Sequence, residues 1–465
     1  MNLVIRFRGS AISVISGWQR LFGYLVFGLV ASIAVACGGT VEDSNLLVGT
    51  ESSEPTLPPA EPTLTATLAP TSVPDPTPAP ADESGAAEEE TPEVDFSDLF
   101  SDDAEKARTA TLQKIWGWNT NLAERTISLT ELSIVLPKDQ ITPVDQPSFV
   151  SVQDAPEYME AREPVIALVI DGDARAYPLA MLMWHEIVND TVGGEPVTVT
   201  FCPLCNTGIT FSRIVNSEEL TFGTSGMLRN SDLVMWDRQT ESFWQQITGE
   251  ALAGDFAADR TVLTQFPSSI IAWETFVEAY PDGQLLERIV DERGSPVRPY
   301  DTPPYAGYDD VDVHPFLFKG SVDGRLVATS RVLTIDGENP VAYPFGFLEE
   351  SPVLNDSING QDIVAFFDNG TFSAFNTVTN DHQTSGSVAV FSRTVDGRTL
   401  TFELTDAGIS DAETGSTWNL VGTAIDGELA GTQLEPIIHA NHFWFAWAVF
   451  KPTTEIRDSM DDLGA

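Results

Sequence analysis

Hydrophobic positions divide this chain into three stretches. Residues 21–36, LFGYLVFGLVASIAVA, are apolar and uncharged, a run about long enough to span a bilayer. Residues 40–93 are dominated by Pro, Thr, Ala, Ser and Glu and show no hydrophobic period. Such a segment cannot bury enough surface to offset the entropy of ordering it. Its prolines keep it extended, so it reads as a disordered spacer. Beyond about residue 110 the pattern changes to short apolar or alternating runs, at 165–172, 197–201, 207–211, 219–222 and 232–236, and these predict strands. A short helix is expected after Tyr177-Pro178, and aromatic helix-like stretches at 271–280 and 442–450.

This last region repeats itself. Ala176-Tyr177-Pro178 returns as Ala342-Tyr343-Pro344, Asn189-Asp190 as Asn355-Asp356, and Gly194 as Gly360, all at one spacing. Phe211-Ser212-Arg213 returns as Phe391-Ser392-Arg393 at a wider spacing, which predicts extra residues in the second copy around 369–385. Asp237-x-x-Thr240-x-Ser242-x-Trp244 returns as Asp411-x-x-Thr414-x-Ser416-x-Trp418. The expected fold class is therefore α+β: two tandem, related mixed α/β units packed as one β-rich module. The first unit would span 111–290, the second 291–455, with a C-terminal tail over 456–465.

The repeat separates two kinds of residue. Tyr177, Asn189, Asp190, Arg213, Asp237, Thr240 and Trp244 occur in both copies and are expected to be structural. Asn-Asp before Gly suits a turn, and Asp-x-x-Thr-x-Ser suits local bonding of side chains to backbone. By contrast, Cys202 falls opposite Asp368, Cys205 opposite Thr371, His185 opposite Ser351 and Met235 opposite Ile409. Soft and basic residues of the first copy are thus lost together in the second.

Charge and the N-terminus add a location. The net charge is -45 and the isoelectric point about 4.1, which argues against nucleic acid and against docking on anionic lipid heads. No Lys or Arg occurs between Arg20 and Lys106, so much of the negative charge lies on the spacer. Arg6, Arg8 and Arg20 precede the apolar run, which ends in Ala34-Val35-Ala36-Cys37-Gly38. That junction resembles the lipobox of bacterial lipoproteins. The resemblance implies a signal peptide over 1–36, a lipidated Cys37, a stalk over 37–110 and a module anchored to a membrane on its extracytoplasmic side. An ordinary transmembrane anchor is the alternative, and it too puts the module outside the cytoplasm.

Of the three cysteines, the module then holds only the pair in Cys202-Pro203-Leu204-Cys205. Outside the cytoplasm such a pair is a soft-metal site, a redox couple or a static bridge. Two thiolates at i and i+3 reach one ion from a tight turn. His185 would supply a nitrogen and Met235 a thioether, a set that suits copper(I) or zinc(II). Redox chemistry is the second reading: a strand running into Cys-Pro-x-Cys superficially resembles a thioredoxin-like site, although 207–211 reads as strand where a helix should follow. The third is a structural pair in a binding or scaffolding protein, with a ligand held by aromatics such as Trp184, Trp236 and Trp244. The metal reading leads because of the joint loss in the second copy. There is no Gly-rich phosphate loop, Gly-x-Ser-x-Gly elbow or His-Glu-x-x-His, so nothing signals a nucleotide cofactor. His439 and His442 read as capping or packing residues, His314 and His382 as loop residues. A protein partner and a small ligand both stay unassigned.

Three motifs are long enough to carry a family resemblance. His185-Glu186-Ile187-Val188-Asn189-Asp190, Phe201-Cys202-Pro203-Leu204-Cys205-Asn206-Thr207 and Asp232-Leu233-Val234-Met235-Trp236-Asp237-Arg238-Gln239-Thr240 resemble the bacterial domain-of-unknown-function 3179 family. The resemblance runs from about Ile141 to Pro452. It implies an exported lipoprotein and assigns no activity.

Overall fold

Residues Pro164–Ile170, PVIALVI, form a strand buried along most of its length with no polar alternation, as expected where both faces of a sheet are covered. The left-handed pair Asp171 and Gly172 turns the chain back into Asp173–Pro178. Pro178 fixes an extended entry to the helix Leu179–His185. The computed structural model describes residues 102–310, 314–376 and 383–464. Cys37, the apolar run, His382 and most of the expected stalk lie outside them. Inside the range read as stalk, Asp102–Ala110 is a helix, and its Glu105 accepts from Leu129 N at 3.3 Å.

The fold is β-rich, with a few short helices among many small sheets. Three sheets of four or five strands belong to the first half. One has the order Ser268–Ala272, Pro164–Ile170, Asp173–Pro178, Gln284–Leu286, Phe149–Ser151. A second runs Gln265–Phe266, Thr207–Ser212, Glu195–Cys202, Ile187–Val192. The third runs Ser133–Ile134, Phe222–Arg229, Asp232–Asp237, Phe243–Gln245, Ala251–Ala253.

In the second half, Ala440–Phe443, Arg331–Ile335, Val341–Pro344 and Glu455–Ile456 make one sheet, and Val353–Ile358, Gln361–Asp368 and Ser387–Ser392 another. A third contains Phe402–Thr405, Gly408–Asp411, Thr417–Trp418 and Ala424–Asp426. The helix Phe345–Glu350 follows Tyr343-Pro344, and Trp444–Ala448 is the short aromatic helix expected near the end.

The motif residues hold these sheets together. Tyr177 donates to Asp190 Oδ2 at 2.6 Å, and Tyr343 donates to Asp356. Asn189 bridges to the backbone of Phe222 through both ends of its amide, as Asn355 does to Phe402. Arg213 donates to the carbonyls of Val197, Leu220 and Asp190. Thr240 N and Oγ1 and Trp244 Nε1 all donate to Asp237, and Thr414 and Trp418 repeat this on Asp411. Residues 456–464 are fastened as well: Arg457 pairs with Asp356 at 2.6 Å, and Gly464 N donates to the same carboxylate at 2.7 Å.

One hairpin is longer in the first half than in the second. Phe222 pairs with Asp237 at the base of the first, which extends to Arg229 opposite Asp232. Phe402 pairs with Asp411 at the base of the second, which already turns between Thr405 and Gly408. The longer hairpin brings its tip to the largest core cluster. There Cys202, Cys205 and Met235 share apolar packing with Val332, Ala342, Phe443 and Trp444.

Candidate metal centre

The strand Glu195–Cys202 delivers Cys202 at its last position. Pro203 opens a single 3-10 turn, Pro203–Cys205, and Asn206 leaves it in the left-handed region at φ 51°. Asn tolerates that conformation, so no glycine is needed. Thr207 then pairs with Cys202 and the chain re-enters the sheet. The motif is therefore a hairpin loop with both thiols turned into the protein. Both are free and buried.

A third ligand type comes from the long hairpin. Its tip places Asn230 (φ 50°) and Ser231 (φ 71°) in the left-handed region. That conformation is strained for Ser and persists because the surroundings fix it. Ser231 is fully buried, its hydroxyl donates to Phe316 O, and its own carbonyl accepts from Cys202 Sγ at 3.8 Å. The next residue is Asp232. One ligand atom each from Cys202, Cys205 and Asp232 lie within 4.8 Å of one another, all buried.

The two oxygens of Asp232 differ. Oδ2 accepts from Gln245 Nε2 at 2.6 Å and from Ile247 N at 3.0 Å. Oδ1 is buried with no nitrogen or hydroxyl donor among the described residues, which leaves the two thiols as the remaining donors beside this carboxylate. Burial pushes the Asp232 carboxyl up to about 6 despite these bonds. Glu186 adds another carboxyl. It follows the helix Leu179–His185 in the left-handed conformation, and burial, then the charge of Asp232, push it up to about 8. Burial also raises both thiols, Cys205 the further. Tyr305 and Tyr308 stand close enough for their hydroxyls to feel Cys202, together with Glu186 and Cys205 respectively.

Residues 138–454 match the family described as "Protein of unknown function (DUF3179)". The chain belongs to the DUF3179 family. No curated protein and no solved structure matches it.

Within this DUF3179 module the expected site residues separate. Cys202 and Cys205 come together. His185 does not join them: its Nδ1 lies 2.7 Å from Thr142 O and its Nε2 2.8 Å from Tyr300 Oη, so both ring nitrogens are engaged. Met235 is fully buried in the same apolar cluster as the cysteines, paired across the hairpin with Thr224 and Trp244. His442 stands behind the loop, with Nδ1 2.8 Å from Thr207 Oγ1, and Thr207 in turn donates to Cys205 O at 3.2 Å. Sequence reasoning missed Asp232. The available signal was the unequal length of the two hairpins, 222–237 against 402–411.

Proposed function

We propose that the module binds one soft or borderline metal ion, zinc(II) or copper(I), through Cys202 and Cys205 with Asp232 beside them. The observation that carries this reading is the buried group itself: Cys202, Cys205 and Asp232 each bring a ligand atom within 4.8 Å of the others, and Asp232 Oδ1 has no nitrogen or hydroxyl donor of its own. A buried carboxylate oxygen with only weak thiol donors near it is poorly satisfied, which is costly. An ion would satisfy it and replace the protons that burial otherwise keeps on the sulfurs. Ligands of a tetrahedral zinc stand about 3.7 Å apart, so the group needs only a small contraction.

Duplication supports the reading. We take the module to be two copies of one unit, on the matched bonds of Asp237 and Asp411 and of Asn189 and Asn355. On that view the thiols and the hairpin extension are additions to one copy. The same reading keeps Cys37 as a lipid attachment holding the module outside the cytoplasm. Thiol–disulfide exchange has less support. Attack requires a thiolate, whereas burial raises both thiols, and a strand follows Cys205 where a thioredoxin-like site has a helix.

The test is metal analysis of the full chain in detergent, purified reduced and without oxygen, offered zinc(II) or copper(I) and desalted. About one ion per chain is expected, absent from the Cys202→Ser/Cys205→Ser double variant. A wild-type chain that retains neither ion ends the metal reading and leaves a redox or structural pair.

A further inference from the structure

We infer that Gln245 and Arg229 are positioning residues that make this site selective for zinc(II) over copper(I), acting through Asp232. The inference rests on the metal reading above. It starts from the direction of a hydrogen-bond chain. Glu131 Oε2 pairs with Arg229 Nε at 2.8 Å, and Arg229 Nη1 donates to Gln245 Oε1 at 3.2 Å. A guanidinium can only donate, so the oxygen end of the Gln245 amide must face Arg229. Its nitrogen end then faces Asp232, where it donates to Oδ2 at 2.6 Å. The amide cannot flip without setting its NH2 against the guanidinium.

The outer end of the chain is fixed too. Glu131 closes a capping box by accepting from Ser128 N at 3.1 Å. Gln245 and Asp232 have no solvent exposure, so water does not compete for these bonds. With Ile247 N also on Oδ2, one oxygen of Asp232 is saturated and oriented while Oδ1 is left open on the carboxylate shared with the thiols. In the second half, Asn419 follows Trp418 as Gln245 follows Trp244, but its Oδ1 accepts from Thr423 N at 2.8 Å in a local turn.

The chemistry of the two ions turns this into selectivity. Copper(I) is satisfied by soft thiolates and gains little from a carboxylate. Zinc(II) builds a tetrahedral shell and takes carboxylate oxygen readily. Outer-shell bonds that hold a ligand typically matter by about 10–100-fold in metal affinity. Loosening Asp232 should therefore weaken zinc and spare copper(I).

The experiment measures both affinities on the full chain, without oxygen, by competition with a chromophoric zinc chelator and a copper(I) chelator. Wild type is compared with Gln245→Met, Arg229→Met and Asp232→Asn. Asp232→Asn keeps an acceptor for Gln245 and Ile247 but puts an amide nitrogen in place of Oδ1. The expected result is a zinc affinity lower by about 10–100-fold in all three, with copper(I) affinity unchanged within about threefold. Cobalt(II) loaded into wild type should give an intense tetrahedral visible spectrum that weakens in Gln245→Met. Equal losses of zinc and copper(I) would mean a merely structural role and overturn the inference, as would unchanged zinc binding. If Gln245→Met fails to fold, Arg229→Met, one step nearer the surface than the fully buried Gln245, decides the matter. Wild type that binds copper(I) but not zinc defeats the selectivity alone, whereas wild type that binds neither defeats the metal reading itself.

Discussion

His185 Nε2 lies 2.8 Å from the hydroxyl of Tyr300, a residue 115 positions further along the chain. The contact ties the end of the helix Leu179–His185 to an irregular segment that also carries Tyr305 and Tyr308 to the thiols. It is a fastening and makes no use of the ring as a metal ligand. Tyr300→Phe should accordingly lower stability by about 1–2 kcal/mol in urea unfolding while ion content stays at about one per chain. Loss of the ion with the hydroxyl would return His185 to the metal.

The affinity for zinc should fall steeply with acid. Near neutrality both thiols hold their protons, and Asp232, with its carboxyl at about 6, has largely lost its own. Binding then displaces about two protons, so the apparent affinity drops about 100-fold per pH unit from about pH 8 to 6, and more steeply below, where Asp232 must also be stripped. Chelator competition at several pH values reads the slope. A flat profile would show that the ion does not meet the thiols.

Glu186 gives the opposite signature in the metal-free protein. Its carboxyl ionises near 4.5 when unfolded and at about 8 in the fold, so the folded state binds more protons between those values. The stability it contributes is complete below the lower value and is lost as pH rises through the upper one. Glu186→Gln should match wild type at about pH 4 and exceed it increasingly up to about pH 8, measured by urea unfolding. A constant difference at all pH values would place the carboxyl in water.

Trp244 and Trp418 each donate an indole N–H to a buried aspartate at 3.0 Å. Trp244→Phe and Trp418→Phe should each cost about 2–3 kcal/mol, because a charged acceptor loses a donor that water cannot replace. Differential unfolding of the two variants checks whether the halves melt together. Neither substitution should change ion content.

Local sequence carried much of this architecture. Strands at 165–170, 197–201 and 207–211, and the short helix after Tyr177-Pro178, follow from β-branched runs and turn residues that act over a few positions. The thiol pair was visible for the same reason. Asp232 was not, because an aspartate among 69 acidic residues gains meaning only when a hairpin tip delivers it to a loop made elsewhere. His185 was singled out by its chemistry, yet its direction depended on Tyr300, which no local pattern links to it. Residues 298–310 lack any period, so their passage across the site had no sequence signal.

The long hairpin also bears on the order of assembly. Its tip is complete only when Glu131, 98 positions from Arg229, and Phe316, 85 positions from Ser231, have both reached it. Closing such loops is entropically expensive and comes late in folding. On the metal reading, an ion would enter a finished receptacle and would not nucleate one. Small zinc domains collapse when their metal is chelated; this protein should surrender its ion to a chelator and keep its shape.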